Sequence, residues 1–274
     1  MEFSIKLQLP SGKTVKIKEL KNKDYFTILK FCENRDLEGL NELFCDLFFK
    51  DELSSIDIID KFYLLLAVRM LFIDPDIAFS DSVGSPIKFS INNILEKIDL
   101  LEKDLDIQVS EGDFILTLGL PDKLYFRSLS DIYSSVIKTI KFKDKNIIFS
   151  ELNDIEREEI LTYLPNTLFT PINKYITQIS SELQNFVIIE KNDQFNIEEI
   201  NTNIISNEFM GFVMSLFSTG LKNFLELIYI FGNRLSVSTE AFFNLTPLDS
   251  KVLVNIYNKD IEEQNKELQN KRNE

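Results

Sequence analysis

One apolar stretch in the first quarter of the chain constrains the fold more than any other feature. Residues 56–72 have helical spacing, and the run 62–73 is apolar on nearly every face, interrupted by Arg69. A helix that is apolar all round is buried in a protein interior. The run is too short to span a membrane, which takes about 20 residues. We therefore expect a central, buried helix, with Ser54 and Ser55 as its N-terminal caps.

The segments before this helix predict a β-hairpin followed by two helices. Polar and apolar residues alternate on both sides of residues 10–12, whose Pro-Ser-Gly composition is typical of a turn. Residues 23–33 and 37–49 carry apolar side chains at helical spacing. The alternating apolar positions of the hairpin are Phe3, Ile5, Leu7, Leu9, Val15 and Ile17.

The rest of the chain predicts a helical body with small β segments. We expect a mainly α (α+β) fold: a helical body with an N-terminal β-hairpin and two small β insertions, near residues 87–118 and 186–197. A first domain would span residues 1–125 and a helical second domain residues 126–274. The predicted elements are a loop at 73–85, a strand at 87–91, a short helix capped by Asn92 or Asn93 and reaching 101, strands at 107–109 and 114–118, a helix from Ser128 to about 140, an extended segment at 147–149, a helix from Ser150 or Asn153 to 164, a helix opening on Pro171 and reaching about 183, a hairpin pairing 186–189 with 195–197, and helices at 208–217, 222–233, 239–244 and from Thr246-Pro247 onward.

The charge of the chain argues against partners rich in phosphate. The 274 residues carry a formal net charge of −14. Such a surface repels nucleic acid and anionic membranes, and it favours either solubility alone or basic protein partners. The N-terminus alternates instead of running apolar, so no signal peptide is expected.

Catalytic and ligand-binding motifs are absent from the sequence. There is no histidine, which excludes a histidine base. The segment 11–14 (Ser-Gly-Lys-Thr) ends like a phosphate loop, but Leu7 stands where that loop needs glycine, and a turn between strands explains it better. We expect no catalytic residue, no cofactor and no small-molecule substrate.

Metal binding is not expected either. Cys32 and Cys45 are the two cysteines, and we expect buried free thiols in a reducing compartment. An acidic cluster lacks the turn glycine of a calcium loop, so a solvated charged surface explains it. That cluster comprises Asp99, Glu102, Asp104, Asp106 and Glu111.

Four segments, in this order, carry a resemblance to one known family. They are the Pro-Ser-Gly-Lys hairpin of 9–17 with the helices up to 72, the β module 87–98 with the strand and proline of 115–121, the helix pair 152–183 joined at Pro165, and the helices of 220–265, where Leu245-Thr246-Pro247 opens the last helix. In this combination the chain resembles the baseplate hub assembly family of T-even-like contractile-tail bacteriophages. Members of this family often carry zinc-ribbon-like cysteine pairs in both β insertions. Residues 81–86 and 190–194 contain no cysteine, so the resemblance implies no metal here.

The resemblance implies a non-enzymatic protein that acts in forming the central hub of a phage baseplate by binding other hub or tail proteins. A permanent structural subunit of the hub is the alternative. The family implies no catalytic residues, and it leaves open whether the protein stays in the particle. The location that follows is the host cytoplasm, with the virion tail baseplate as the alternative.

The last helix is the predicted partner contact. Leu253 precedes Tyr257, Ile261, Gln264 and Leu268 at spacings of four and three, which places these residues on one helical face. Residues 252–257 are apolar enough to pack on the body, whereas residues 259–274 are almost entirely polar. A frayed tail is one interpretation of this polar segment, and a helix that docks in a partner's groove is the other.

Overall fold

The computed structural model describes residues 4–50, 53, 56–80, 86–99, 105–183, 203–218 and 220–273. The helices are α1 (Asn22–Asn34), α2 (Leu37–Phe48), α3 (Ile58–Phe72), α4 (Ile91–Asp99), α5 (Leu129–Val136), α6 (Asp154–Tyr163), α7 (Asn166–Glu182), α8 (Asn207–Phe217), α9 (Leu221–Asn233), α10 (Thr239–Asn244) and α11 (Pro247–Asn273). The strands are β1 (Ser4–Gln8), β2 (Thr14–Lys18), β3 (Asp76–Ser80), β4 (Pro86–Ser90), β5 (Ile107–Glu111), β6 (Phe114–Leu118), β7 (Ile137–Phe142) and β8 (Lys145–Ile148). The predicted mainly α (α+β) class is confirmed.

Helix α3 forms the centre of the core, as the all-round apolar pattern predicts. Twelve of its 15 residues are buried. The Phe62 ring meets Phe209 of α8 edge-to-face, with 5.0 Å between the ring centroids. The predicted caps Ser54 and Ser55 are wrong, because the Asp57 carboxylate accepts the hydrogen bond from Asp60 N at 2.9 Å. An aspartate one residue before the helix meets the first free N–H groups directly.

Phenylalanine rings fill the space between α1, α2, α8, α9 and α10. Phe44 of α2 contacts Phe217 of α8, with 5.0 Å between the ring centroids. Phe224 of α9 contacts Phe242 of α10 at 5.5 Å. All four rings are buried. The abundance of phenylalanine in the sequence therefore serves a helical core.

The described strands form three antiparallel sheets. Strands β1 and β2 make the predicted hairpin, β3 pairs with β4, and a four-stranded sheet has the order β5-β6-β7-β8. The predicted loop at 73–85 is wrong over Asp76–Ser80, because those residues pair with β4. The predicted cap Asn92 or Asn93 is wrong as well, since α4 already begins at Ile91. The predicted strands at 107–109 and 114–118 are confirmed.

The helix predicted from Ser128 to about 140 ends earlier. Ser128 caps α5 as expected, but the helix stops at Val136 and the chain continues as β7. Strand β7 pairs with β6, and Thr139 Oγ1 donates to Thr117 Oγ1 at 2.9 Å across the pair. Tertiary pairing with β6 therefore overrides the local helical pattern.

The helix pair α6 and α7 follows the prediction at one end and departs from it at the other. Asn153 and Glu156 form a capping box at the start of α6, which confirms Asn153 as the cap. Pro171 lies inside α7 instead of opening it. The helix begins at Asn166, because a buried face that includes Leu168 and Ile172 stabilises the turns on both sides of the proline.

The C-terminal helices α8 to α11 lie where the sequence predicts them, whereas the predicted hairpin at 186–197 lies outside the described residues. The division into 1–125 and 126–274 stays a prediction. Cys32 is buried as expected, but the expected burial of Cys45 is wrong, because its position on α2 faces outward.

Candidate partner-binding surface

Helix α11 begins at a well-formed cap. Thr246 Oγ1 donates to Asp249 Oδ2 at 2.8 Å, and Asp249 N donates to Thr246 Oγ1 at 3.1 Å. Pro247 occupies the first helical position, where its missing N–H costs nothing. The Thr-Pro sequence thus opens the last helix, as predicted.

Asn22, the first residue of α1, holds the start of α11 in place. Its side-chain Nδ2 donates to Ser250 Oγ at 2.7 Å and to the Phe242 carbonyl at 2.9 Å, and its backbone N donates to the Leu245 carbonyl at 2.8 Å. Asn22 and Ser250 are both fully buried. Buried hydrogen bonds of this kind are costly to lose, so α1 and α11 form one rigid unit.

The first turns of α11 also border an apolar groove of about 260 Å³. Phe224 and Leu227 of α9 and Val254 of α11 line it, together with Tyr25 and Ile73. The Lys251 ammonium forms an ion pair with the Asp74 carboxylate beside the groove. These contacts secure α11 up to about Asn255.

The expectation that residues 252–257 pack on the body is wrong for most of them. Val252 is 48%, Leu253 41% and Ile256 51% exposed, whereas Val254 packs partly against the core. A helix lying on a body buries one face only, and these three side chains lie on the outer faces. An apolar, solvent-facing patch therefore begins where α11 leaves the body.

The four predicted partner-binding residues lie on the side of α11 that carries the buried Ser250, and Val252 lies on the other side of the helix. Tyr257 is half-buried, while Ile261, Gln264 and Leu268 are exposed. All described side chains from 258 to 270 are exposed. From Lys259 to Asn273 the helix extends over about 22 Å. We name the face formed by Leu253, Tyr257, Ile261, Gln264 and Leu268 the α11 face.

Helix α9 contributes exposed apolar side chains that the sequence analysis missed. Leu225 is 48% and Tyr229 61% exposed, and their spacing of four residues places them on one face. Phe224 and Phe231 of the same helix are buried. The signal was present in the sequence as two apolar stripes on one helix, of which a core can cover only one.

A polar cavity of about 350 Å³ lies where α2, α3 and α6 meet, and ion pairs join most of its charged groups. Lys123 pairs with Asp131 at 2.8 Å and with Asp154 at 3.0 Å. Arg157 Nη1 pairs with Asp122 at 3.4 Å. Such mutual pairing neutralises the cavity and stabilises the junction of the helices.

Lys61 is the most buried cation of this cavity. Burial lowers the pKa of its ammonium, and the nearby Asp122 charge opposes that shift. The ammonium donates to the backbone carbonyl of Asp122. A lysine with a lowered pKa is sometimes a nucleophile, but the contact with a backbone carbonyl gives Lys61 a structural role.

Two kinds of feature are absent from the described residues. No group of three or more cysteine, aspartate or glutamate side chains there has the arrangement of a metal site. Among the described helices, none combines the length and apolar character that crossing a membrane requires.

Comparison with known protein families assigns the chain to one of them. Residues 1–210 match the family model described as T4 bacteriophage base plate protein. The chain belongs to this family. The match ends within α8, so the helices α9, α10 and α11 lie beyond it. Searches of curated proteins and of solved structures found no match.

Proposed function

We propose that this base plate protein acts, without catalysis, in forming the central hub of the baseplate, and that it does so by binding another hub or tail protein through the α11 face. Membership of the base plate family supports a role among baseplate proteins. The α11 face, an apolar stripe that continues onto the exposed outer half of the helix, is the observation that carries the proposal.

Helix physics supports a docked state for α11. An isolated helix of 12 to 15 residues is marginal in water, and its stability comes from an apolar face packed on something else. The outer half of α11 has that face, but its side chains from 258 to 270 are exposed in the part of the chain that the structure describes. A partner groove that covers Ile261 and Leu268 would supply the missing contact in the helix-in-groove mode.

The charge of the chain limits which class of protein the partner can belong to. A net charge of −14 raises the encounter rate with basic proteins and opposes binding to phosphate-rich surfaces. We therefore expect the partner to be a protein with a basic surface around an apolar groove.

Pairwise co-expression tests the proposal. The full chain and a variant truncated after Asn258 are each captured with every hub and tail protein of the same phage, one at a time. The full chain should retain at least one of them, and the truncated chain should lose it while remaining folded. Equal retention by both chains would refute the role of the α11 face.

A permanent place in the hub is the second candidate, favoured by the family description as a base plate protein. Mass spectrometry of purified particles separates the two. An assembly protein that leaves is absent from mature particles, whereas a structural subunit is present in stoichiometric amount.

A further inference from the structure

A second surface lies at the other end of the chain, on the β1–β2 hairpin. Residues 1–23 contain six lysines and two glutamates, a net charge of +4, whereas the whole chain carries −14. The outer face of the hairpin presents Lys6, Lys16 and Lys18, which are all exposed, and its inner face packs on the core. This local reversal of charge favours a negatively charged partner.

Two of these lysines lie directly opposite each other. Lys6 of β1 is the register partner of Lys16 of β2. Leu9 N donates to Lys13 O at 2.8 Å, and the alternation from this bonded pair makes Lys6 and Lys16 a non-hydrogen-bonded pair. Side chains approach most closely at such pairs, so like charges there are destabilising. In the part of the chain that the structure describes, no ion pair joins either lysine to an acid.

The same alternation leaves the backbone of Lys16 at a free edge of the hairpin. Its N–H and C=O point away from β1, and β2 pairs with no other described strand. Such an edge is a template onto which another strand can add. A second copy of β2 is a poor occupant, because it would place its own lysines against these. The edge therefore suits a strand that carries carboxylates.

A groove of about 360 Å³ runs along this edge. Its described lining includes three consecutive residues of β2 and none of β1. Phe48 and Leu64, both buried, contribute apolar surface to it. The one acid of the described lining, Asp46, pairs with Lys50 at 3.5 Å. The groove thus combines an apolar wall with a surplus of lysine, since Lys16 and Lys18 line it as well.

We propose that the β2 edge binds one extended, acidic segment of a partner protein, which adds to the hairpin as a third strand. Its backbone pairs with the outward N–H and C=O of Lys16, in the manner of β-strand addition. Because side chains alternate along a strand, apolar residues at every second position pack over Phe48 and Leu64. The carboxylates between them lie on the outer face, where they offset the repulsion between Lys6 and Lys16.

The free backbone edge and the apolar wall distinguish such a segment from nucleic acid, whose phosphates would use the lysines alone. The proposal is independent of the α11 face, because it concerns a different surface and a partner segment of the opposite charge.

Titration of the full chain with the blocked peptide Asp-Val-Glu-Ile-Asp-Val tests this, at 0.15 M salt to screen the general repulsion from an acidic protein. The backbone amides of Thr14 and Lys16 are followed by nuclear magnetic resonance. We expect saturable shifts there, with a dissociation constant on the order of 1 mM. Shifts that stay linear would overturn the proposal, and so would equal binding of the scrambled peptide Asp-Asp-Glu-Val-Val-Ile, which keeps the charge but loses the alternation.

N-methylated peptides test the strand pairing itself. Successive N–H groups of a strand point to opposite edges, so only one alternate set can reach β2. Methylation of that set should abolish binding, and methylation of the other should leave it within about threefold. Equal effects of the two sets would overturn strand addition. A single-stranded DNA hexamer that binds as tightly as the peptide would overturn it too, because the lysines would then act alone.

Two lysine variants test the charge. Lys16→Gln should weaken peptide binding about fivefold, since it removes one charge and keeps the outward backbone groups. Lys145→Gln is the matched control and should leave binding unchanged, because Lys145 is an exposed lysine on the edge strand β8 and does not line the groove. Equal weakening by both variants would mean that only the overall charge matters, and would overturn the proposal.

The acids that follow Lys50 in the sequence, Asp51 and Glu52, lie outside the described residues. The double variant Asp51→Asn with Glu52→Gln tests whether they compete with the peptide. It should bind the peptide within about threefold of the parent. Binding by this variant and none by the parent would mean that the chain's own acids occupy the β2 edge, and would overturn the proposal.

Discussion

Asn22 Nδ2 donates to Ser250 Oγ at 2.7 Å, which joins the first residue of α1 to the second turn of α11 across 228 positions of chain. The same nitrogen also reaches the Phe242 carbonyl at 2.9 Å. Because both residues are fully buried, this contact fixes where the C-terminal helix leaves the body. The direction of α11, and with it the position of the α11 face, depends on one asparagine at the other end of the sequence.

Loss of the Asn22 side chain should destabilise the protein. We expect Asn22→Ala to lower the free energy of unfolding by about 1–3 kcal/mol, because it leaves Ser250 and the Phe242 carbonyl without their donor. Denaturant unfolding followed by circular dichroism measures this. An unchanged unfolding midpoint would contradict the role of Asn22 as an anchor.

A serine pair provides the control for this contact. Ser250→Ala removes a buried hydroxyl that accepts from Asn22, whereas Ser181→Ala removes an exposed hydroxyl that donates to the Gln178 carbonyl. The first change should cost about 1 kcal/mol or more, and the second close to nothing. Similar costs for both would show that Asn22 contributes little.

The core around α3 should be sensitive to truncation of one ring. Phe62 is fully buried against Phe209, so Phe62→Ala should cost about 3–5 kcal/mol through lost burial and the cavity left behind. Tyr163→Ala, at a position that is 77% exposed, is the control and should stay within about 0.5 kcal/mol of the parent. A small loss at Phe62 would argue against a central α3.

Because the Cys32 thiol is buried, the free energy of unfolding should fall at alkaline pH. Burial raises its pKa from 9.0 to about 12, so the native state keeps the proton that the unfolded state releases above pH 9. Its contribution to stability is complete below pH 9 and is lost as the pH rises toward 12. The gap in unfolding free energy between the parent and Cys32→Ala should therefore narrow between pH 8 and about pH 10.5. A gap that stays constant over this range would contradict the burial of the thiol.

The outer half of α11 should be dispensable for folding. A chain truncated after Asn258 should keep its thermal midpoint within about 1 °C, because the described side chains beyond that point are exposed. Far-ultraviolet circular dichroism should lose only the signal of that helical segment. A large drop in the midpoint would mean that the segment packs on the body after all.

Local patterns in the sequence were sufficient for much of this fold. The all-round apolar run predicts the buried α3, the alternation around Ser11 predicts the β1–β2 hairpin, and the Asn153 capping box marks the start of α6. Each of these signals lies within a few residues of the element that it specifies.

The predictions are wrong where contacts between distant parts of the chain determine the local structure. Strand β7 continues the apolar pattern of α5 without a break, and its pairing with β6 shows only in three dimensions. Strand β3 follows Pro75, and its local sequence predicts a loop. Its pairing with β4 is what makes it a strand. The exposed Val252 and Ile256 were expected to pack on the body, because an apolar residue on a helix is usually a core residue.

For the same reason, the sequence predicted only part of the candidate site. The spacing of Tyr257, Ile261, Gln264 and Leu268 placed them on one helical face, and the structure adds that the last three of them are exposed.

The affinity of two double variants for the captured hub or tail protein tests the central claim most directly. Ile261→Gln with Leu268→Gln changes the α11 face, and Lys259→Gln with Lys266→Gln, also seven residues apart, changes the opposite side of the same helix. Measured by calorimetry, the first pair should weaken binding by about tenfold or more, and the second should stay within about twofold of the parent. Equal affinities for the parent and the first pair would contradict the account.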